Sequence, residues 1–383
     1  MDDLDRMPGK PISEATCLSR EFDRVVFIGY NSEGQFLSKR LTDSMFVYTV
    51  PLNMTSSLIP TLFHLLTDLT RMGTFVCKLK RLHELDFVRS ENAILGGLPS
   101  YMAALLDGVK YAIWLAGSEE SVIRIRYGNG LLARLVLVLL RFLKSVILSR
   151  AVFVLGVSSE LVSRAKVLTR GPVFHTPNFV DLDTFVPPEM PRTYGGRIKF
   201  LYVGRLEHEK GVRVLLDAIA AIANRDDFEV QIAGWGELLP QVLAAQKESD
   251  KIHYLGRFSH SQMPLVYHAA HVLVLASLTE GMPAAVLEAM ATGMPVIVSS
   301  VGDVPNVVKN GVHGILVTPG SSIELAEAMR SLLDNRHLLA ELAGAARSRA
   351  TQVSGRYIEL HRRLYLGLLK HKKRNQPVAT QRS

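Results

Sequence analysis

Cysteine is nearly absent, with only Cys17 and Cys77 in 383 residues. Two thiols make neither a disulfide framework nor a metal-ligand spacing, which predicts a reducing compartment. The first twenty residues lack an apolar core and carry Asp2, Asp3 and Asp5, so no secretory leader is expected and a cytoplasmic location is. No run is apolar enough to span a bilayer: the uncharged stretch 45–67 includes Pro51, Asn53 and Pro60. There is no repeat at solenoid spacing. Nor do aromatic residues interleave with basic ones as on a single-strand nucleic-acid surface, so no nucleic-acid partner is expected.

What is present suits a globular protein of two domains. Hydrophobic residues make up 48% of the chain and charged residues 21%, enough to bury sizeable cores, and the length exceeds that of one ordinary core. A formal charge of +8 favours an acidic partner, whether anionic lipid, nucleic acid or phosphorylated substrate, without choosing between them. The tail "LKHKKRNQPVATQRS" reads as a basic, disordered end past Lys373.

From residue 196 onward strand-like runs, "IKFLYVG", "FEVQIAG", "IHYLG", "HVLVLAS", "PVIVSS" and "GILVTP", alternate with helical patterns over 212–224, 238–249 and 324–333. Continuous apolar strands separated by helices predict a parallel sheet covered on both faces, a doubly wound α/β domain. Earlier, "RVVFIG", "MFVYTV", "AVFVLGVS" and "GPVFHTPN" suggest a second α/β domain, and the Pro-rich stretch 185–196 reads as the boundary. Ligands of such architectures bind outside the carboxyl ends of the strands, here in a cleft between the domains.

The stretch "LTEGMPAAVLEAMATGMPVIVSS", residues 278–300, holds two acids in otherwise apolar sequence. Glu280 falls on a turn after the strand "HVLVLAS", and a helix follows with Pro283 at its first position and Gly293 near its stop. The N–H groups of Met282, Ala284 and Ala285 would be free there to meet phosphate or sugar oxygens. Glu288 lies among Val286, Leu287, Ala289 and Met290 and needs hydrogen-bond donors if buried; a vicinal diol would supply two. Alternatively, Glu288 emerges on a solvated stripe and Glu280 only caps the helix. Arg205, after "LYVG", and Lys210, before the next helix, fit a phosphate clamp at a strand end.

The pattern E-G-M-P-x4-E, followed by "AMATGMPVIVSSVGDVPNVV", and "FLYVGRLEHEKGVRVLLDAI" upstream, resemble the donor site of family 4 retaining glycosyltransferases. That resemblance covers about residues 198–333. It implies the GT-B fold: α/β, with two Rossmann-like doubly wound parallel-sheet domains facing each other across a cleft. The expected divisions are an acceptor-side domain over 20–190, a donor domain over 196–350, a helix over 351–373 packing back on the first domain, and the tail 374–383. By the same resemblance, Glu280 contacts the transferred sugar and Glu288 the ribose hydroxyls. Arg205 and Lys210 grip the donor diphosphate, and Gly204 and the run Gly281, Met282, Pro283 and Ala284 contact sugar and phosphate. The donor substrate would be a UDP-, GDP- or ADP-sugar, with no cofactor and no metal. The acceptor would be a glycan or lipid-linked molecule in polysaccharide, lipopolysaccharide or glycolipid synthesis. A non-catalytic nucleotide-sugar binding module and a nucleotide-sugar epimerase are the alternatives.

Other features compete for attention. Asp181 and Asp183 spell D-x-D, a metal-binding spacing, but sit in "TPNFVDLDTFVP", which is similar to the family's interdomain segment with Phe179 in place of its glycine. "GWG" at 234–236 is a fragment of a glycine fingerprint. Gly29 and Gly34 fit a glycine-rich loop only loosely, and Ala116 stands where many members have histidine, so no N-terminal base is assigned. Between residues 121 and 159 there is no acid, while Arg124, Arg126, Arg134, Arg141, Lys144 and Arg150 punctuate an apolar helical pattern. The plain reading is a packing helix whose solvated edge is Arg134, Arg141 and Ser145. The sharper reading is an interfacial helix on an anionic membrane, at its inner face.

Overall fold

The structure, a computed structural model, describes residues 22–31, 37–51, 58–116, 130–176 and 178–374. Cys17, Gly34, Arg124, Arg126 and the tail beyond residue 374 lie outside them. Contacts divide the chain into two units: Pro177–Gly355, and the described part of Ala15–Thr176 together with the helical segment from Arg356.

In the N-terminal unit, β1 (Val25–Asn31), β2 (Leu37–Arg40) and β3 (Met45–Pro51) form a sheet in the order β1-β3-β2, with β2 antiparallel to β3. Helix α1 (Leu58–His83) leads to β4 (Phe87–Glu91), α2 (Gly97–Asp107) and β5 (Lys110–Leu115). Helix α3 (Leu131–Arg150), β6 (Val154–Gly156), α4 (Ser159–Leu168) and β7 (Val173–His175) follow. Strands β4-β5-β6-β7 make a four-stranded parallel sheet. Strand β4, FVRSE, mixes charge with apolar residues and so escapes a periodicity reading.

In the C-terminal unit strands and helices alternate, as the apolar runs predict: β8 (Ile198–Val203), α5 (Val212–Ala221), β9 (Phe228–Ala233), α6 (Leu239–Glu248) and β10 (Ile252–Gly256). Then come α7 (Met263–His268), β11 (Val272–Leu275), α8 (Ala284–Ala291), β12 (Val296–Ser299), α9 (Val304–Val307), β13 (Gly314–Val317), α10 (Ser322–Asp334) and α11 (His337–Arg374), which belongs to this unit only as far as Gly355. All six strands run parallel in the order β10-β9-β8-β11-β12-β13. The direction of winding reverses between β8 and β11, and that crevice is where doubly wound sheets bind ligands.

Strand β11 is buried at all four positions, which is why it reads as VLVL with no alternation. The Pro-rich stretch 185–196 is fastened to the C-terminal unit rather than hanging between units. The Arg192 guanidinium donates to the carbonyls of Ala270 (2.8 Å), Thr292 (2.8 Å), Gly293 (3.1 Å) and Tyr267 (3.0 Å). The contact division accordingly falls earlier, at Thr176/Pro177.

Candidate functional site

Two loops meet at the reversal point, one after β8 and one after β11. The first places Gly204, Arg205 and a short 3-10 turn, His208–Lys210, before α5. Gly211 opens α5 with φ +67°, and a Cβ there would come within 1.8 Å of the Ala276 carbonyl oxygen, so glycine alone lets this loop lie against the end of β11. The Leu278 amide donates to the Glu209 carbonyl at 2.8 Å and locks the two loops together.

Lys210 and Glu280 are brought into contact by this closure. Lys210 Nζ donates to Glu280 Oε1 at 2.5 Å, and Ser277 Oγ donates to the same oxygen at 3.1 Å. The two side chains are only 18% and 13% exposed, so the pair is held in a partly desolvated place where a charge acts strongly. Gly302, at φ +52°, completes the enclosure: a Cβ would reach within 2.2 Å of the Glu280 carbonyl oxygen, and the Asp303 amide donates to the Gly281 carbonyl at 2.8 Å. From the other side the Asn178 side-chain amide donates to the Met282 carbonyl. Phe179, in the glycine's place, is buried and keeps a negative φ.

Helix α8 begins at Ala284, with Pro283 as its N-cap at φ −68°, one residue later than the sequence reading puts it. Among the described residues, the N–H groups of Gly281, Met282, Ala284 and Ala285 donate to no protein acceptor. At its far end the amides of Gly293 and Met294 bond back to the carbonyls of Met290 (3.0 Å) and Ala289 (2.9 Å), the glycine adopting φ +67°.

Glu288 lies in the buried middle of α8, so the solvated-stripe alternative does not hold. Its desolvation is offset by the Tyr267 hydroxyl, which donates to Oε2 at 2.8 Å, while His260 Nε2 stands 3.8 Å from Oε1. Burial, and then the Glu288 charge, raise the Tyr267 phenol well above its ordinary range, so it remains a donor. Phe185 packs edge-on against both His260 and Tyr267, with ring centroids 5.3 and 5.9 Å away. Sequence spacing offers no signal for Tyr267 or His260, because they reach Glu288 through the fold, whereas Ser277 meets Glu280 from three residues earlier on the same loop.

Arg205 joins neither acid. It is 57% exposed and pairs with Glu207 and with Glu209, the latter at 3.2 Å. Burial, and then the side-chain hydrogen bond with Glu209, hold Glu207 above the usual carboxylate range. The Arg205 carbonyl accepts from the Tyr202 hydroxyl at 2.8 Å, which fixes the backbone next to Gly204. Asp181 spends its carboxylate on a local turn, accepting from the Asp183 amide (3.0 Å) and the Thr184 hydroxyl (2.8 Å). In the glycine fragment, Trp235 is 56% exposed, under the Arg257 guanidinium.

Residues 197–335 match the model of the family described as glycosyl transferases group 1. Glycogen synthase of Mycobacterium tuberculosis is 34% identical over 168 residues, 42% of this chain and 39% of that protein. The alpha-D-kanosaminyltransferase of Streptomyces kanamyceticus is 32% identical over 172 residues, 43% of this chain and 45% of that one. These matches therefore span less than half the length of the curated relatives. In fold, sucrose-phosphate synthase from Thermosynechococcus elongatus aligns over 93% of this chain and 92% of its own, at TM-score 0.71 and 18% identity. HepE of Anabaena, solved in complex with UDP and glucose, aligns over 94% and 97% at TM-score 0.69 and 17% identity. The chain thus has the α/β GT-B fold built from Rossmann-like units, and its residues 197–335 are similar to the family of glycosyl transferases group 1.

Proposed function

We propose that the protein transfers a sugar from a nucleotide diphosphate to a glycan or lipid-linked acceptor, with retention at the anomeric carbon. The observation that carries this reading is the Lys210–Glu280 pair, locked at the reversal point of the sheet beside unbonded amides at the start of α8. In it, the donor diphosphate lies against Lys210, those amides and Arg205, which exchanges Glu207 and Glu209 for phosphate oxygens. Glu280 accepts from hydroxyls of the transferred sugar. Glu288, steadied by Tyr267, receives the ribose hydroxyls on its other oxygen.

The chemistry follows from charge. The bond from the anomeric carbon to the diphosphate oxygen breaks, and the acceptor hydroxyl oxygen bonds to that carbon on the face the diphosphate leaves. The acceptor's proton passes to the departing phosphate. Negative charge grows on the leaving oxygen, and preset cations and amides stabilise it more in the transition state than in the ground state. No pair of side-chain carboxylates is needed as acid and base. The base of the donor, UDP, GDP or ADP, is open, and HepE's complex with UDP and glucose makes UDP-glucose the first donor to try.

Donor hydrolysis or transfer is the test. Lys210→Ala and Glu280→Ala are each expected to lower it by about 10²–10³, and turnover unchanged in both would refute the reading. Nucleotide binding without turnover in any acceptor screen would mark a binding module instead, a reading favoured only by Ala116 following β5 without a side-chain base. Conversion of the donor without an acceptor would mark an epimerase.

A further inference from the structure

Helix α3 has two apolar faces, and the fold covers one. Val136, Leu140, Ile147 and Leu148 are buried in a cluster with Ile94, Tyr111 and Ile113. On the opposite side Leu135 is 60% exposed, Val138 64%, Leu139 53% and Phe142 66%. These four fall at i, i+3, i+4 and i+7, the spacing of a continuous stripe. The expected solvated edge is thus only its border: Arg134 and Arg141 are exposed, but the apolar stripe beside them is exposed as well. Contiguous apolar surface of this kind marks an interaction site.

Charge identifies what covers it. At about 100° per residue, Arg134 and Arg141 lie along one border of the stripe and Arg150 along the other. From residue 121 to 159 there is no acid. A second copy docking stripe to stripe would bring cations against cations without a carboxylate on either helix. An anionic bilayer meets both requirements, taking apolar side chains below its headgroups while its phosphates meet the guanidinium groups. The helix cannot cross the bilayer: no helix among the described residues is long and apolar enough. It lies in the interface plane.

We propose that the outer face of α3 seats the protein on an anionic membrane, with Leu135, Val138, Leu139 and Phe142 entering the headgroup–acyl boundary and Arg134, Arg141 and Arg150 binding lipid phosphates. This seat does not depend on the donor-site reading. The test is flotation of the full chain with vesicles of phosphatidylcholine alone and of equal parts phosphatidylcholine and phosphatidylglycerol. The wild type is expected to float with the anionic vesicles only, and added salt to weaken it. L139Q/F142S and R134E/R141E, altered at exposed positions, should keep the wild-type melting temperature and lose at least tenfold in vesicle affinity. A wild type that stays in solution overturns the proposal. So does an L139Q/F142S variant that floats undiminished, which would assign the attraction to the basic tail. A wild-type dimer that L139Q/F142S splits, with vesicle binding unaltered, would make the stripe a contact between copies.

Discussion

Burial and bonding are distributed in opposite senses at the carboxyl ends of β8 and β11 and on the outer face of α3. At the strand ends, charged groups are drawn out of water and each receives a partner: Lys210 for Glu280, and Tyr267 for Glu288. On α3, apolar groups are left in water with none. A preset polar cluster under glycine-tight loops spends folding free energy to hold charges where a ligand will need them. An uncovered apolar stripe leaves free energy to be gained on docking. The first is a site within one unit, and the second is a surface for something outside the chain.

The sharpest contrast is in stability. Leu287, fully buried on α8, should cost about 2–5 kcal/mol when cut to alanine, whereas Leu139→Ala should stay within about 0.5 kcal/mol, both measured by urea unfolding. Equal losses would mean that the α3 face is covered within the fold. In catalysis, Lys210→Ala should lower turnover by about 10²–10³ through lost stabilisation of the leaving phosphate, while F142S leaves donor hydrolysis unchanged.

A smaller effect belongs to His271. Burial first, then Lys199 and Arg192, lower its pKa to about 4, and its Nδ1 accepts from the Lys199 amide at 3.0 Å. The folded state therefore binds this proton less tightly than the unfolded chain. Its contribution is complete above about pH 6.5 and is lost as pH falls toward 4, on the order of 2 kcal/mol after allowing for partial exposure. His271→Gln should remove that part of the acid slope in unfolding experiments. Smallest is Tyr267→Phe, which deletes one hydroxyl and should weaken nucleoside diphosphate binding about fivefold to tenfold. Because the hydroxyl acts through Glu288 on ribose, a 2′,3′-dideoxy diphosphate should bind the variant and the wild type alike. An equal loss for both ligands would leave Tyr267 a structural role only.

Legibility differed between the two units for physical reasons. The C-terminal sheet announces itself because its strands, buried on both faces, read as unbroken apolar runs, with Pro283, Gly293 and Gly211 punctuating the helices. Glu280, Arg205 and Lys210 stand on loops at strand ends in that pattern, and Glu288 stands within the helix that follows. The neighbours of Glu288 do not, since Tyr267 and His260 share no spacing rule with it. In the N-terminal unit β2 is an antiparallel edge and β4 carries charge, so neither shows a period. Helix α3 was legible as a helix with apolar residues nearly all round, but periodicity does not say which apolar face the fold will cover.

Calorimetric titration with UDP, GDP and ADP tests the central claim most directly, comparing the wild type with Lys210→Ala and Arg205→Ala. The account predicts that at least one diphosphate binds the wild type and that each variant weakens it at least tenfold. Binding of none of the three, or equal affinity in all three proteins, would contradict it.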